Sequence, residues 1–153
     1  MKRILFVIVL VAVMYATTGI ASAKTSRTDF TGSEWCPDTI TFIRAIEAGP
    51  NLHLAGISQT CYDTASIPQL TGTDYLSDSM LHLVGNGSNF IITGKLRMES
   101  EEGGIWVGSW VLPANTDTIQ VIANGQGLYE GQELHWFLNL AGPFYGYILN
   151  TGN

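Results

Sequence analysis

From residue 38 to the C-terminus, apolar and polar positions alternate in short runs rich in Val, Ile, Thr, Phe, Tyr and Trp. Clusters of Gly, Pro, Asn and Asp separate the runs. A period of two is that of half-buried strands, and it predicts strands over 38–46, 52–61, 74–84, 89–99, 104–112, 117–124, 130–140 and 144–150. In 89–99 the even positions Phe90, Ile92, Leu96 and Met98 are apolar, while Lys95, Arg97 and Glu99 alternate with them. In 130–140 Leu134, Trp136, Leu138 and Leu140 oppose Glu133, His135, Phe137 and Asn139. Linkers such as EAGPN, GNGS, SEEGG and AGP are turn chemistry. Strands at this spacing with no helices between them argue an antiparallel sandwich or barrel. Eight strands is the number at which a barrel closes around side chains or one small ligand. The run 104–112 departs from clean alternation, with Trp106 and Trp110 on one face and Ile105, Val107 and Val111 on the other. Apolar residues on both faces predict cover on the outer one, from the N-terminal segment or a second copy.

The N-terminus changes the picture of where this domain works. Lys2 and Arg3 precede an uncharged apolar run, Ile4 to Val13, and a polar small-residue stretch ends in Ala21-Ser22-Ala23. That is the layout of a cleaved signal peptide over 1–23. Thr17, Thr18 and Gly19 cut the run short of the roughly 20 apolar residues of a membrane anchor. No cysteine comes just after the run to accept a lipid. Residues 24–153 then form one domain, secreted or periplasmic, with no membrane anchor after cleavage. Cleavage takes Lys2 and Arg3 away, leaving five basic residues against 13 acidic ones and a net charge near −8. Such a surface repels phosphate backbones, which argues against a nucleic-acid partner. In an oxidising compartment Cys36 and Cys61 read first as a disulfide. Closing their loop of about 26 residues is worth roughly 3 kcal/mol in the chain-entropy model. A metal pair or a catalytic thiol would ask for C-x-x-C spacing or a nearby histidine motif, and neither is present.

The segment ANGQGLYEGQEL places Gly125, Gly127 and Gly131 almost at the spacing of a dinucleotide loop. The fingerprint needs a glycine where Glu130 stands, and a helix immediately after it. The chain instead continues as QELHWFLNL, a strand by pattern, so these glycines read as a bend or close crossing in a curved sheet. The longer segment NGQGLYEGQELHWFLNLAGPFYGYI, with GGIWVGSW and SQTCYDTASIPQLTG upstream, resembles the allene oxide cyclase and dirigent superfamily, in an exported branch. The resemblance implies an eight-stranded antiparallel barrel with an apolar cavity, assembled as a dimer or trimer. It also implies chemistry on hydrophobic intermediates without a metal or organic cofactor. None of that family's cavity residues maps onto a position here. A lipocalin signature is not reproduced, because Gly32 and Trp35 are one residue too far apart.

Candidate chemistry is sparse. Arg44 is in phase with Ile40, Phe42 and Ile46, and pointed inward it would hold a carboxylate or enolate. His53, His82 and His135 fall on different strands without the paired spacing of a zinc site. His82, between Leu81 and Leu83, is the best single candidate for a cavity acid or base. Trp106, Trp110 and Trp136 form either an aromatic wall for a flat ligand or core packing. Asp74 and Asp78 share a strand face by count, weak evidence for calcium without a third ligand. Asn86-Gly87-Ser88 is a glycosylation acceptor by pattern and a hairpin turn by context. There is no G-x-S-x-G nucleophile elbow.

The pattern is compatible with three functions: binding of a small apolar molecule in the lumen, cofactor-free cyclisation or isomerisation in the same cavity, or a structural role with the lumen filled by side chains. An inward polar group favours the second; tryptophans filling the lumen favour the third.

Overall fold

The computed structural model describes residues 25–37, 41, 44–84 and 89–151. The signal segment 1–23 and the Asn86-Gly87-Ser88 turn lie outside the described residues. Nine strands occur among them: β1 (Ser26–Trp35), β2 (Arg44–Ala48), β3 (Asn51–Ala65), β4 (Gly72–Val84), β5 (Asn89–Ser100), β6 (Ile105–Leu112), β7 (Thr118–Gln126), β8 (Gln132–Asn139) and β9 (Pro143–Asn150). They form one antiparallel sheet in the order β1-β9-β8-β7-β6-β5-β4-β3-β2, and β1 also pairs with β3. That second pairing closes the sheet into a ring of eight strands, with β2 left outside it. β3 is long enough to serve two partners on one edge, β2 along Asn51–Ala55 and β1 along Tyr62–Ala65.

Seven of the eight strands read from the pattern fall where it put them, within two residues at each end except that β3 runs four residues past the expected 61. The eighth, expected over 38–46, is seen as β2 at Arg44–Ala48; residues 38–40, 42 and 43 lie outside the described set. The strand that alternation did not reveal is β1, SRTDFTGSEW. Its inward positions are Phe30, Gly32 and Glu34, only one of them a large apolar residue, so a period-two signal never forms.

Two bulges decide which residues face the lumen. Gly56 has φ +75° and the β3–β4 register slips between Ala55 and Ile57. In β4 the register against β5 slips between Ser77 and Met80, with Asp78 at φ +48°. Each bulge exchanges the inward and outward sets from that point on. Asp74 and Leu76 therefore point inward at even positions, and beyond the bulge Ser79 and Leu81 do so at odd ones. Asp78 is turned out to solvent, where it meets Lys95 at 2.9 Å. Asp74 and Asp78 thus do not share a face, which corrects the count made along an unbroken strand.

One end of the ring is sealed. Leu70 from the 3₁₀ turn Pro68–Leu70, Met98, Trp106 and Tyr129 are all buried there. Trp106 donates its indole N–H to the Gln69 carbonyl at 3.0 Å and stacks on Tyr129, ring centroids 5.0 Å apart. The glycine segment serves this seal. A Cβ on Gly125 would stand 2.0 Å from the Tyr129 carbonyl oxygen, and Gly127, at φ +61°, turns the chain into the 3₁₀ turn that carries Tyr129. The Tyr129 hydroxyl shares a 2.6 Å hydrogen bond with the Ser100 hydroxyl. Tyr129→Phe is therefore expected to cost about 1 kcal/mol with the fold retained. A urea unfolding series would check it, and a neutral result would show that water replaces the phenol there.

Candidate functional site

Among the described residues the opposite end of the ring is open. Above the sealed half lies a cavity of about 580 Å³, walled by Leu54, Ile57, Leu76, Leu81, Ile92, Trp110, Leu112, Ile119 and Leu138. Trp35 and Leu140, both largely exposed, stand at its rim with Ala141 and Gly142. This volume lies in the range of small-molecule sites. The walls come from inward positions on β3 to β8, so the alternation that builds the ring also makes its lumen apolar.

One patch of that lumen is not apolar. β1 and β3 pair with Glu34 opposite Asp63, and β3 and β4 pair with Cys61 opposite Asp74. Asp63 is two residues from Cys61, so Glu34, Asp63 and Asp74 land side by side on the inner face. One carboxylate oxygen from each lies within 4.8 Å of the other two. Asp63 is 3% exposed and Asp74 1%, and none of their four oxygens has a hydrogen-bond partner among the described residues. Glu34, half-buried, lines both the cavity and a small chamber beneath it that Asp74, Leu96, Val121 and Trp136 complete. The ion pairs among the described residues all lie elsewhere: Arg27–Asp29, Lys95–Asp78, Arg97–Glu99 and His135–Glu133.

Carboxylates out of water without a cation hold their protons. Burial pushes the Glu34 carboxyl up to about 7. Burial, then the charges of Asp74 and Glu34, push Asp63 up to about 9. Asp74 is raised well above the carboxylate range by burial and by Glu34. The Tyr75 amide opposes that shift on Asp74 without forming a well-aligned hydrogen bond. Near neutral pH the cluster is thus one partly ionised group, Glu34, above two protonated ones. A second grouping, Glu34 with Cys36 and Cys61, is no ligand set, because the two sulfurs are joined in a disulfide.

The residues singled out from sequence fall in different places. Trp110 walls the cavity and Trp136 the chamber beneath. Trp106 is buried in the sealed end, away from both. Arg44 is exposed at the start of β2. His82 shares even parity with Asp74 and Leu76, but the β4 bulge turns it to the other face, where its Nδ1 lies 2.6 Å from the Nδ1 of His53. His135 stacks on Tyr147 and pairs with Glu133, so the three histidines do not converge. Cys36 and Cys61 form the expected disulfide, with Cys61 fully buried. Such a bond fits an oxidising, extracellular-type compartment. Among the described residues no helix is long and apolar enough to cross a membrane.

Glu34 and Asp63 were not among the sequence candidates, yet a signal for them existed. Each is two residues from a cysteine, in Glu34-x-Cys36 and Cys61-x-Asp63. A disulfide between neighbouring antiparallel strands puts those two carboxylates opposite each other on the cysteines' face. Comparison of the chain with protein-family models, curated proteins and solved structures gave no match.

Proposed function

We propose that the protein is an exported eight-stranded β-barrel that binds one small, largely apolar molecule in the open half of its lumen. The observation that carries this reading is the apolar cavity of about 580 Å³, open at the Trp35–Leu140 rim. A barrel serving only as a packed scaffold would fill this volume, as Trp106, Met98 and Leu70 fill the sealed end. The resemblance to allene oxide cyclases and dirigent proteins points the same way in strand number and lumen. Its dimer or trimer assembly belongs to the same proposal. A second reading, cofactor-free cyclisation or isomerisation, is favoured by one observation. Asp63 and Asp74 are carboxylic acids kept neutral by burial, the form that donates a proton or hydrogen bond to a polarised intermediate.

Binding is tested with N-phenyl-1-naphthylamine, an uncharged apolar fluorophore, read by energy transfer from the tryptophans. Saturable one-to-one binding is expected. Ile119→Trp, which fills the cavity from β7, is expected to weaken it at least tenfold while leaving the circular dichroism spectrum of the sheet intact. Equal binding by a folded Ile119→Trp would place the probe elsewhere, and no saturable binding would remove the reading.

A further inference from the structure

The cavity reading leaves the chemical class of the ligand open, and a carboxyl cluster narrows it: Glu34 lines the cavity, Glu34 and Asp74 line the chamber beneath it, and Asp63 lies beside them. A lumen meant only for hydrocarbon gains nothing from burying them, since an unpaired carboxyl group in an apolar site is costly. Asp63 and Asp74, holding their protons, each offer one carbonyl acceptor and one hydroxyl, and none of these four oxygens has a partner among the described residues. Glu34, at the boundary between cavity and chamber, can carry a negative charge that no described side chain neutralises. The chamber beneath the cavity has a volume of about 10 Å³, room for one group about the size of a water molecule. The carboxyl groups of Glu34 and Asp74 line that spot; over it stand Leu54, Ile92, Leu112 and Ile119.

Resting on the reading of the cavity as a ligand site, we propose that its occupant is an apolar amine, with a primary ammonium seated among Glu34, Asp63 and Asp74 and its hydrocarbon body in the cavity. A primary ammonium has three N–H donors at tetrahedral angles. With charge-assisted N···O distances of about 2.8 Å, its three acceptors stand about 4.6 Å apart, and here one oxygen from each of the three residues lies within 4.8 Å of the other two. The ammonium needs one ionised partner and accepts the other two groups as neutral acceptors. Calcium differs on both counts. It takes six to eight oxygens, whereas the chamber's remaining walls are Leu76, Leu96, Trp110 and Trp136, among others without a carboxylate. An anionic head is repelled by Glu34, and an alcohol of the same length fills the cavity without the ion pair.

The test is a calorimetric titration of the whole protein with octylamine, 1-octanol and octanoate at pH 7, below their aggregation limits. Octylamine is expected to bind at least tenfold more tightly than octanol, and octanoate least. Glu34→Gln is expected to reduce the preference for octylamine over octanol to less than threefold; Asp74→Asn is expected to reduce it as well. Octanol binding as tightly as octylamine would overturn the amine assignment while leaving the cavity reading intact. No binding by any of the three would overturn both. Calcium chloride alone is titrated in parallel. Submillimolar calcium binding that is lost in Glu34→Gln and blocks octylamine would give the site to a metal and overturn the proposal. The unaltered protein decides the head-group preference even if a variant fails to fold.

Discussion

Folding stability is expected to fall by several kcal/mol as the pH is raised from about 5 to about 9. The groups responsible face one another across three strands, Glu34 from β1, Asp63 from β3 and Asp74 from β4, with the disulfide beside them and no described cation. Burial raises Glu34 from 4.5 to about 7, and burial with its acidic neighbours raises Asp63 from 3.8 to about 9. In the unfolded chain these carboxyls lose their protons near pH 4, whereas the folded protein keeps them. The native state therefore binds more protons than the unfolded one throughout the window from about 4 to about 9, and stability declines across it. Below the unfolded values the full stability is present; as the pH passes the folded values it is lost. Glu34 alone accounts for about 3 kcal/mol at 1.4 kcal/mol per unit, as an upper figure for a half-buried group. The surface ion pairs change this little, since exposed pairs are worth about 1 kcal/mol or less. Urea midpoints at three pH values would show the slope. Asp63→Asn with Asp74→Asn is expected to flatten it and to raise stability in the alkaline range. A wild-type stability that rises with pH would mean that the carboxylates are compensated by a group the fold does not show.

Where the sequence was legible, a strong period and an apolar inner face coincided. The runs that became β5 and β8 place a large apolar residue at nearly every inward position, and their inner faces are marked by Leu96 and Met98, and by Leu134 and Trp136. The strand that closes the ring was not legible, because β1 carries Glu34 and Gly32 inward. Gly32 is needed there: a Cβ would meet the Phe144 ring at 2.3 Å. Of the candidate site, Trp110, Trp136 and Asp74 were picked out, and Glu34 and Asp63 were missed for the same reason. Both break the pattern by which inward positions are recognised, and that conflict between local pattern and global position is where functional sites are expected. His82 shows the complementary failure. It was singled out for its flanking leucines, and the bulge at Asp78 that turns it to the other face is not encoded by a glycine, so the exchange of faces could not be seen. The cysteine pair was the one long-range constraint in plain view, and it held the address of two of the three carboxylates.

Removing the disulfide is expected to cost about 3 kcal/mol, the chain-entropy value for a loop of this size. The sequence separation of Cys36 and Cys61 is 25. The loss falls on the weakest joint of the ring. β1 and β3 are held by four residue pairs, Gly32–Ala65 to Trp35–Tyr62, and the outer face of the joint by the Trp35–Tyr62 stack at 5.7 Å. β3 and β4, by contrast, pair along most of their length. Cys36→Ser with Cys61→Ser should therefore open this joint before any other part of the sheet. Hydrogen exchange would show it as lost protection confined to the β1–β3 pairing. The chemistry should change with the joint, because Glu34 and Asp63 are one of its four pairs. Water admitted there restores the ordinary ionisation of both carboxyls and weakens the fall of stability with rising pH. Two measurements on the same variant thus bear on one claim, urea unfolding for the cost and its pH dependence for the cause. A variant that loses the stability but keeps the full pH slope would show that the carboxyls are buried by the β3–β4 side alone. In that case the disulfide would serve the fold and leave the cavity floor unchanged.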